Sequence, residues 1–388
     1  MLEKAIKGEK KYWGWLAFLL VLIGIGLAAY LYQFFVGLKI TGLSRDVSWG
    51  FYIAQLTYLV GVAAGGVMVV LPYYLHDYKA FGKITILGEF LAIAAVIMCM
   101  LFVFVDVGQP VRIMNVALHP TPNSILFWDF TVLSVYLLLN VVVGWNVLSA
   151  ELKDIHYQKW VKFLIYVSIP WAFSIHTVTA FLYQGLPGRH YFLTAIMAAR
   201  FLSSAFAAGP AILILLCLIV RKVSRFDPGK EAIRTLGGIV TYAFIINVFF
   251  FLLELFTAFY SQIPGHMHPI VFLFSGLHGV DTLVPWMWTA AGFTVVALIL
   301  LVVPSTRRNL DTLAVGCGAV IIATWIDKGL GLIIGGFTPT PFETVTPYWP
   351  TLPEMAVSVG VYALGFFILT VLYKIAVGIK EEAAGLST

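Results

Sequence analysis

Long apolar runs separated by short polar stretches set the pattern of this chain. Ten runs reach the roughly 20 residues a helix needs to cross a bilayer: 13–37, 49–75, 84–107, 124–148, 160–184, 194–220, 235–260, 281–304, 310–335 and 354–378. None alternates apolar and polar positions as a barrel strand does, and in lipid each segment must satisfy its own backbone hydrogen bonds. The predicted fold is therefore all-α and polytopic. A weak internal repeat, "GVAAGG" at 61–66 and "AFAAGP" at 205–210, divides the helices further. Small residues at these places let helix backbones approach closely. The expected organisation is one membrane domain over 1–388. It has a first four-helix bundle over 49–184, a second over 194–335, and peripheral helices at 13–37 and 354–378.

Composition sharpens this picture. Of 388 residues, 61% are hydrophobic and 11% charged, and mean hydropathy is +0.94. Soluble domains carry about 25% charged residues, so a soluble globular protein is excluded. The formal charge of +5 does not point to nucleic acid, because the basic residues lie in short loops. The apolar run after the N-terminal lysines is longer than the core of a signal peptide and is expected to be the first spanning helix. Of 24 Lys and Arg, eighteen fall on one side of the predicted helices and four, Lys39, Arg45, Arg112 and Arg189, on the other. The positive-inside rule then places both termini in the cytoplasm, in a multi-pass protein of the cell membrane.

This topology gives every intramembrane polar residue a depth. Asp106 falls at the outer end of the third helix. Asp129 lies about 8 Å and His176 about 12 Å below the outer end of theirs, at about 1.5 Å per residue. Arg200, Glu254, Asp281, Asp327 and Lys328 also fall in the outer half, while Glu89 alone marks the inner half. A transporter that alternates access should place its polar groups near the midplane. Polar groups gathered toward one face instead suit an amphipathic ligand, with an oily tail in the bilayer and a polar head near the surface. A quinol fits this description. Its oxidation needs proton acceptors, for which His and Asp in a partly apolar pocket are suited.

On-chain redox ligands are not expected. Of eight histidines only His176 lies within a predicted span, whereas a membrane haem b commonly takes two. Cys99, Cys217 and Cys317 sit alone in separate runs, and a cluster or structural zinc wants about four ligands. The chain is thus expected to bind neither haem nor an iron–sulfur cluster, and any electrons must leave to a partner subunit.

Four segments resemble a known family. "SWGFYIAQLTYLVGVAAGG" (48–66) is similar to the second-helix signature of the NrfD/PsrC membrane subunits. "DVGQPVRIMNVALHPTPNSILFW" (106–128) resembles that family's D-x-G-x-P-x-R segment, with Gln109 where Arg is usual. "SIHTVTAFLYQGLPGRHYF" (174–192) resembles the fifth helix of its ten-helix members. "WIDKGLGLIIGGFTPTPF" (325–342) is similar to the ninth helix of one branch, the P subunit of the Dsr (DsrMKJOP) sulfite-reduction-associated complex. That branch is also described as the integral membrane subunit of an Hdr-like menaquinol oxidoreductase. The resemblance implies a menaquinone or menaquinol site near the outer face of helices two to five. It further implies a ferredoxin-like iron–sulfur subunit docked on that face, a multihaem cytochrome c, a haem b membrane subunit and a cytosolic Hdr-like iron–sulfur subunit, in a respiratory complex of sulfur metabolism.

His176 and Asp129 are the expected catalytic proton acceptors, and Tyr52, Asp106, Arg112, Trp128 and Tyr183 are candidates to hold the quinone. Aromatic belts need no ligand, and Asp106 with Arg112 also suits a paired turn. Glu89, Arg200, Glu254, Asp327 and Lys328 are expected to form a proton path or a buried charge network. Arg200 would pair with Asp327 or Glu254 and Lys328 with Glu254, in a second bundle remote from the quinol pocket. Glu89 is expected to snorkel or pair with Lys83. The competing expectation is a secondary transporter or ion-translocating subunit without redox chemistry.

Overall fold

The structure, a computed structural model, describes residues 3–383 and 385. Among these, ten helices are long and apolar enough to span a membrane: α1 (Lys10–Val36), α2 (Phe51–Leu75), α3 (Thr85–Asp106), α4 (Ile125–Leu152), α5 (Lys159–Gln184), α6 (Met197–Val223), α7 (Lys230–Ser261), α8 (Val284–Val302), α9 (Leu310–Phe337) and α10 (Leu352–Ala383). They match the ten apolar runs, with ends shifted by a few residues. Lys4 and Glu382 pair at 2.7 Å, and the face they share, which also carries the Lys- and Arg-rich loops, is termed here the basic face.

Helix α2 is almost wholly buried, whereas α1, α7 and α8 leave most of their apolar surface exposed, as lipid-facing helices do. Helix α3 packs on α2 and α4, and α4 on α5. Likewise α6 packs on α7 and α9, and α9 on α8. Helix α10 pairs with α1 along its length and also touches α3. The two sets of helices meet where α2 crosses α6. A Cβ placed on Gly65 would lie 2.4 Å from the Gly209 Cα, and one on Gly61 would lie 3.6 Å from the Ala205 Cα. The two copies of the sequence repeat therefore pack on one another, and only small residues permit that approach. Gly26 and Gly360 make a similar contact between α1 and α10.

Two spans depart from regular helix. Helix α2 breaks between Gly65 and Val67, where a Cβ on Gly66 would come within 2.8 Å of the Gly88 carbonyl oxygen. Helix α9 is α-helical to Thr324, opens into a π-helical turn over Trp325–Gly331, and closes again over Leu332–Phe337. Glycines line the wide turn: Gly329 lies beneath the Ala54 carbonyl and Gly331 beneath the Met287 sulfur. On the face opposite the basic one, a further helix, Pro264–Ser275, rests against α8 and the end of α9.

Candidate functional site

His176, Thr179 and Tyr183 recur at i, i+3 and i+7 along α5, the spacing of one helical face, and all three are buried. That face meets α4 and α2. The Thr179 hydroxyl donates to Asp129 Oδ1 of α4 at 2.6 Å and lies 2.8 Å from the Ile175 carbonyl. One turn further, Tyr183 Oη is 2.5 Å from Thr57 Oγ1 of α2. The Thr57 hydrogen is committed to the Ile53 carbonyl at 2.7 Å, so Tyr183 donates. The Tyr183 ring packs against Trp49, Phe192 and Phe201. His176 is fully buried, and neither ring nitrogen has a hydrogen-bond partner among the described residues. A buried imidazole without partners forgoes about 1–3 kcal/mol per polar atom, a cost characteristic of sites that engage something else.

The remaining expected quinone ligands lie elsewhere. Tyr52 donates to Gln33 Oε1 at 2.7 Å, and Gln33 donates to the Val105 carbonyl at 2.6 Å, so Tyr52 faces α1 and α3 rather than α5. It sits five residues before Thr57, on a different side of α2. Asp106 is half-buried, with Oδ1 enclosed and unpartnered. Arg112 is exposed and makes no ion pair among the described residues, so the expected Asp106–Arg112 pair does not form. Trp128 is 45% exposed and donates to the Pro122 carbonyl of its own loop at 2.8 Å. The structure joins Asp129 through Thr179 to the α5 face that carries His176 and Tyr183, while the hydrogen bonds of Tyr52 and Trp128 lead elsewhere.

The second set of helices holds a charge cluster. Arg200 donates to both Asp327 oxygens, at 2.8 and 2.9 Å, and also to Glu254. One planar guanidinium with five donors can serve two carboxylates in this way. The expected Lys328–Glu254 pair is corrected. The Lys328 ammonium donates to the Phe201 carbonyl at 3.3 Å and lies 4.2 Å from the Phe201 ring centroid. It also approaches Gly61 of α2, where a Cβ would be 3.3 Å away. The "WIDKGLG" turn is therefore not remote from the first set of helices but packs directly on α2. Glu89 likewise neither snorkels nor pairs with Lys83. It is 4% exposed, with Oε2 unpartnered.

Sequence reasoning missed Thr57, Thr179 and Glu354. Thr179 was within reach of the i, i+3 rule from His176. Glu354, fully buried, accepts from Gly42 N at 2.7 Å, Tyr348 Oη at 2.8 Å and Thr351 N at 2.9 Å. Its signal was the T-x-x-E capping box at 351–354.

Ten apolar spans with a buried polar row toward one face define a polytopic membrane protein. Residues 39–338 match the family described as polysulphide reductase, NrfD, and the chain belongs to that family. It is 26% identical over 92% of its length to a Halobacterium salinarum protein named for a membrane subunit of dimethyl sulfoxide reductase, covering 89% of that protein. It is 23% identical over 96% of its length to the menaquinone reductase integral membrane subunit of Nitratidesulfovibrio vulgaris, covering 93% of it. It is also 23% identical over 65% of its length to the Hdr-like menaquinol oxidoreductase integral membrane subunit of Archaeoglobus fulgidus, covering 62% of it. Proteins named as membrane subunits of several redox complexes are thus similar to this chain, which supports a redox-complex subunit role in general.

Proposed function

We propose that this chain is the menaquinol-handling membrane subunit of a respiratory complex, exchanging electrons with an extrinsic iron–sulfur subunit. The polar row of Asp129, His176, Thr179, Tyr183 and Thr57 carries the reading. It offers a carboxylate and an imidazole with free valence, set between apolar helices near one face. These groups suit the two hydroxyls of a naphthoquinol head, and relatives named for menaquinol and menaquinone support that choice. When bound, the quinol supplies two protons and two electrons.

Each side chain has a definable task. Thr179 fixes one Asp129 oxygen by donating to it, which leaves the other oxygen to take a hydroxyl proton. His176 can accept a proton on one ring nitrogen while the other donates. Tyr183, locked by Thr57 and wedged against Trp49, closes the row toward the loops. By the positive-inside rule the basic face is cytoplasmic, so the row lies near the outer leaflet of the cell membrane, beneath a docked ferredoxin-like partner. The "WIDKGLG" motif supports placement in the Dsr branch, with a multihaem cytochrome c, a haem b subunit and a cytosolic Hdr-like subunit as further partners.

Replacing His176 by Ala or Asp129 by Asn in the assembled complex tests the site. Loss of a positioned acid–base group typically costs about 10²–10⁴-fold in rate. Quinol-dependent reduction of the partner's clusters is expected to fall by at least about 10²-fold, with subunit stoichiometry unchanged. Undiminished reduction in both variants would refute the assignment.

A further inference from the structure

The basic ends of α7 and α8 bring three arginines together. Arg234 stands near the start of α7, and Arg307 and Arg308 end the short helix Pro304–Arg308 that follows α8. Arg234 Nε donates to the Arg308 carbonyl at 2.9 Å, so the two connections lie side by side. Arg307 commits one donor to the Leu301 carbonyl at 3.0 Å. The other guanidinium donors of Arg234, and the whole Arg308 side chain, have no hydrogen-bond or ion-pair partner among the described residues. Glu231 and Asp311, the acidic residues that neighbour Arg234 and Arg308 along the chain, are exposed and pair with neither. Lys230, one turn before Arg234 on the same helix face, adds a further exposed charge.

Beyond these charges the surface of α7 turns apolar. Arg234, Gly238, Tyr242, Ile245 and Phe249 share one face of the helix by their spacing. Nothing lies within 4 Å of a Cβ placed on Gly238, which leaves an open notch one turn from Arg234, and Tyr242, Ile245 and Phe249 are exposed. Helix α8 runs alongside: Thr241 Oγ1 is 3.3 Å from the Leu301 carbonyl, and Ile299 and Val302 of α8 are exposed as well. The positive-inside rule asks only for positive charge in the loops of this face. It does not ask that arginines of two separate connections converge at the head of one apolar stripe. Guanidinium groups bind phosphate through paired N–H donors, and basic clusters where helices leave the bilayer take acidic lipid headgroups. We propose that Arg234, Arg307 and Arg308 hold the phosphate of one anionic phospholipid, whose acyl chain lies over Gly238 along α7. The site shares no residue with the quinol row, so the two readings fail separately.

The test is native mass spectrometry of the intact complex, delipidated and then offered phosphatidylglycerol or phosphatidylcholine. The wild-type complex is expected to retain one more phosphatidylglycerol than the Arg234→Gln/Arg308→Gln variant, while both retain phosphatidylcholine equally. Arg308→Gln alone, which removes no hydrogen bond within the protein, should weaken phosphatidylglycerol binding about fivefold, the factor for one basic residue near an anionic membrane surface. This single variant keeps the test decisive if the double one fails to assemble. Lys159→Gln, which removes the same charge from the same face at the start of α5, should leave binding unchanged. Equal phosphatidylglycerol retention by the wild type and Arg308→Gln would overturn the proposal, as would a like loss in Lys159→Gln. Displacement of the lipid by inorganic phosphate at matched ionic strength would also overturn it, since that marks an anion site without a chain. So would phosphatidylglycerol that binds only once the other subunits are stripped away, because the arginines then serve a protein partner.

Discussion

Arg200 shows how a single residue settles the charge balance of half the molecule. Its guanidinium engages Asp327 and Glu254 together, while Lys328 rests on the Phe201 carbonyl and ring. Two positive and two negative groups thus sit within one neighbourhood. Removing one partner of a buried ion pair typically costs about 3–5 kcal/mol, whereas replacing the whole group with apolar residues is often neutral. Arg200→Met, which strands two carboxylates side by side, is expected to lower unfolding stability by about 3–5 kcal/mol. The triple variant with Glu254→Met and Asp327→Leu should recover most of it. Chemical denaturation in detergent measures both, and a triple variant no better than the single one would count against the pairing. Depth along the helices made Arg200, Glu254 and Asp327 legible as neighbours in the sequence. The pairing of Arg200 with both carboxylates was legible too, but the partner of Lys328 was not. It depends on which way successive residues of α9 point, and a π-helical turn changes that.

At the scale of the helix, the ten spans were readable because bilayer thickness fixes their length. The interruptions were not, because what they accommodate comes from elsewhere in the chain. At the break in α2, Gly66 leaves room for the Gly88 carbonyl, and in the wide turn of α9, Gly329 leaves room for the Ala54 carbonyl. The row on α5 could be read from the period of His176, Thr179 and Tyr183. Its opposite wall could not, since Asp129 and Tyr52 were separable only by how α4 and α2 are rotated about their axes. The crossing of α2 and α6 gives the clearest element-level prediction. Gly65→Val forces side-chain atoms into the Gly209 backbone, and overpacking of this kind costs about 1–3 kcal/mol. The Gly238→Val change on α7, where nothing lies within 4 Å of an added Cβ, should leave the same denaturation midpoint nearly unmoved. Equal effects of the two would show that the crossing is not tight.

For the whole molecule, the asymmetry of charge between its faces predicts its sidedness. The native cysteines Cys99, Cys217 and Cys317 are buried, so single introduced cysteines report cleanly. In intact cells, a membrane-impermeant thiol reagent is expected to label Val111→Cys on the opposite face and to spare Lys153→Cys on the basic face. Labelling in the reverse order would invert the orientation. One further consequence belongs to the seam between α2 and α6. Gly65 touches Gly209 and Gly61 touches Ala205, so these two positions of the repeat each meet their own counterpart. That is the signature of an isologous contact, in which the same patch serves both partners. The seam has the form of a homodimer interface enclosed within one polypeptide. The two sides of that seam carry different polar groups, a row with Asp129 and His176 on one side and the ion cluster around Arg200 on the other.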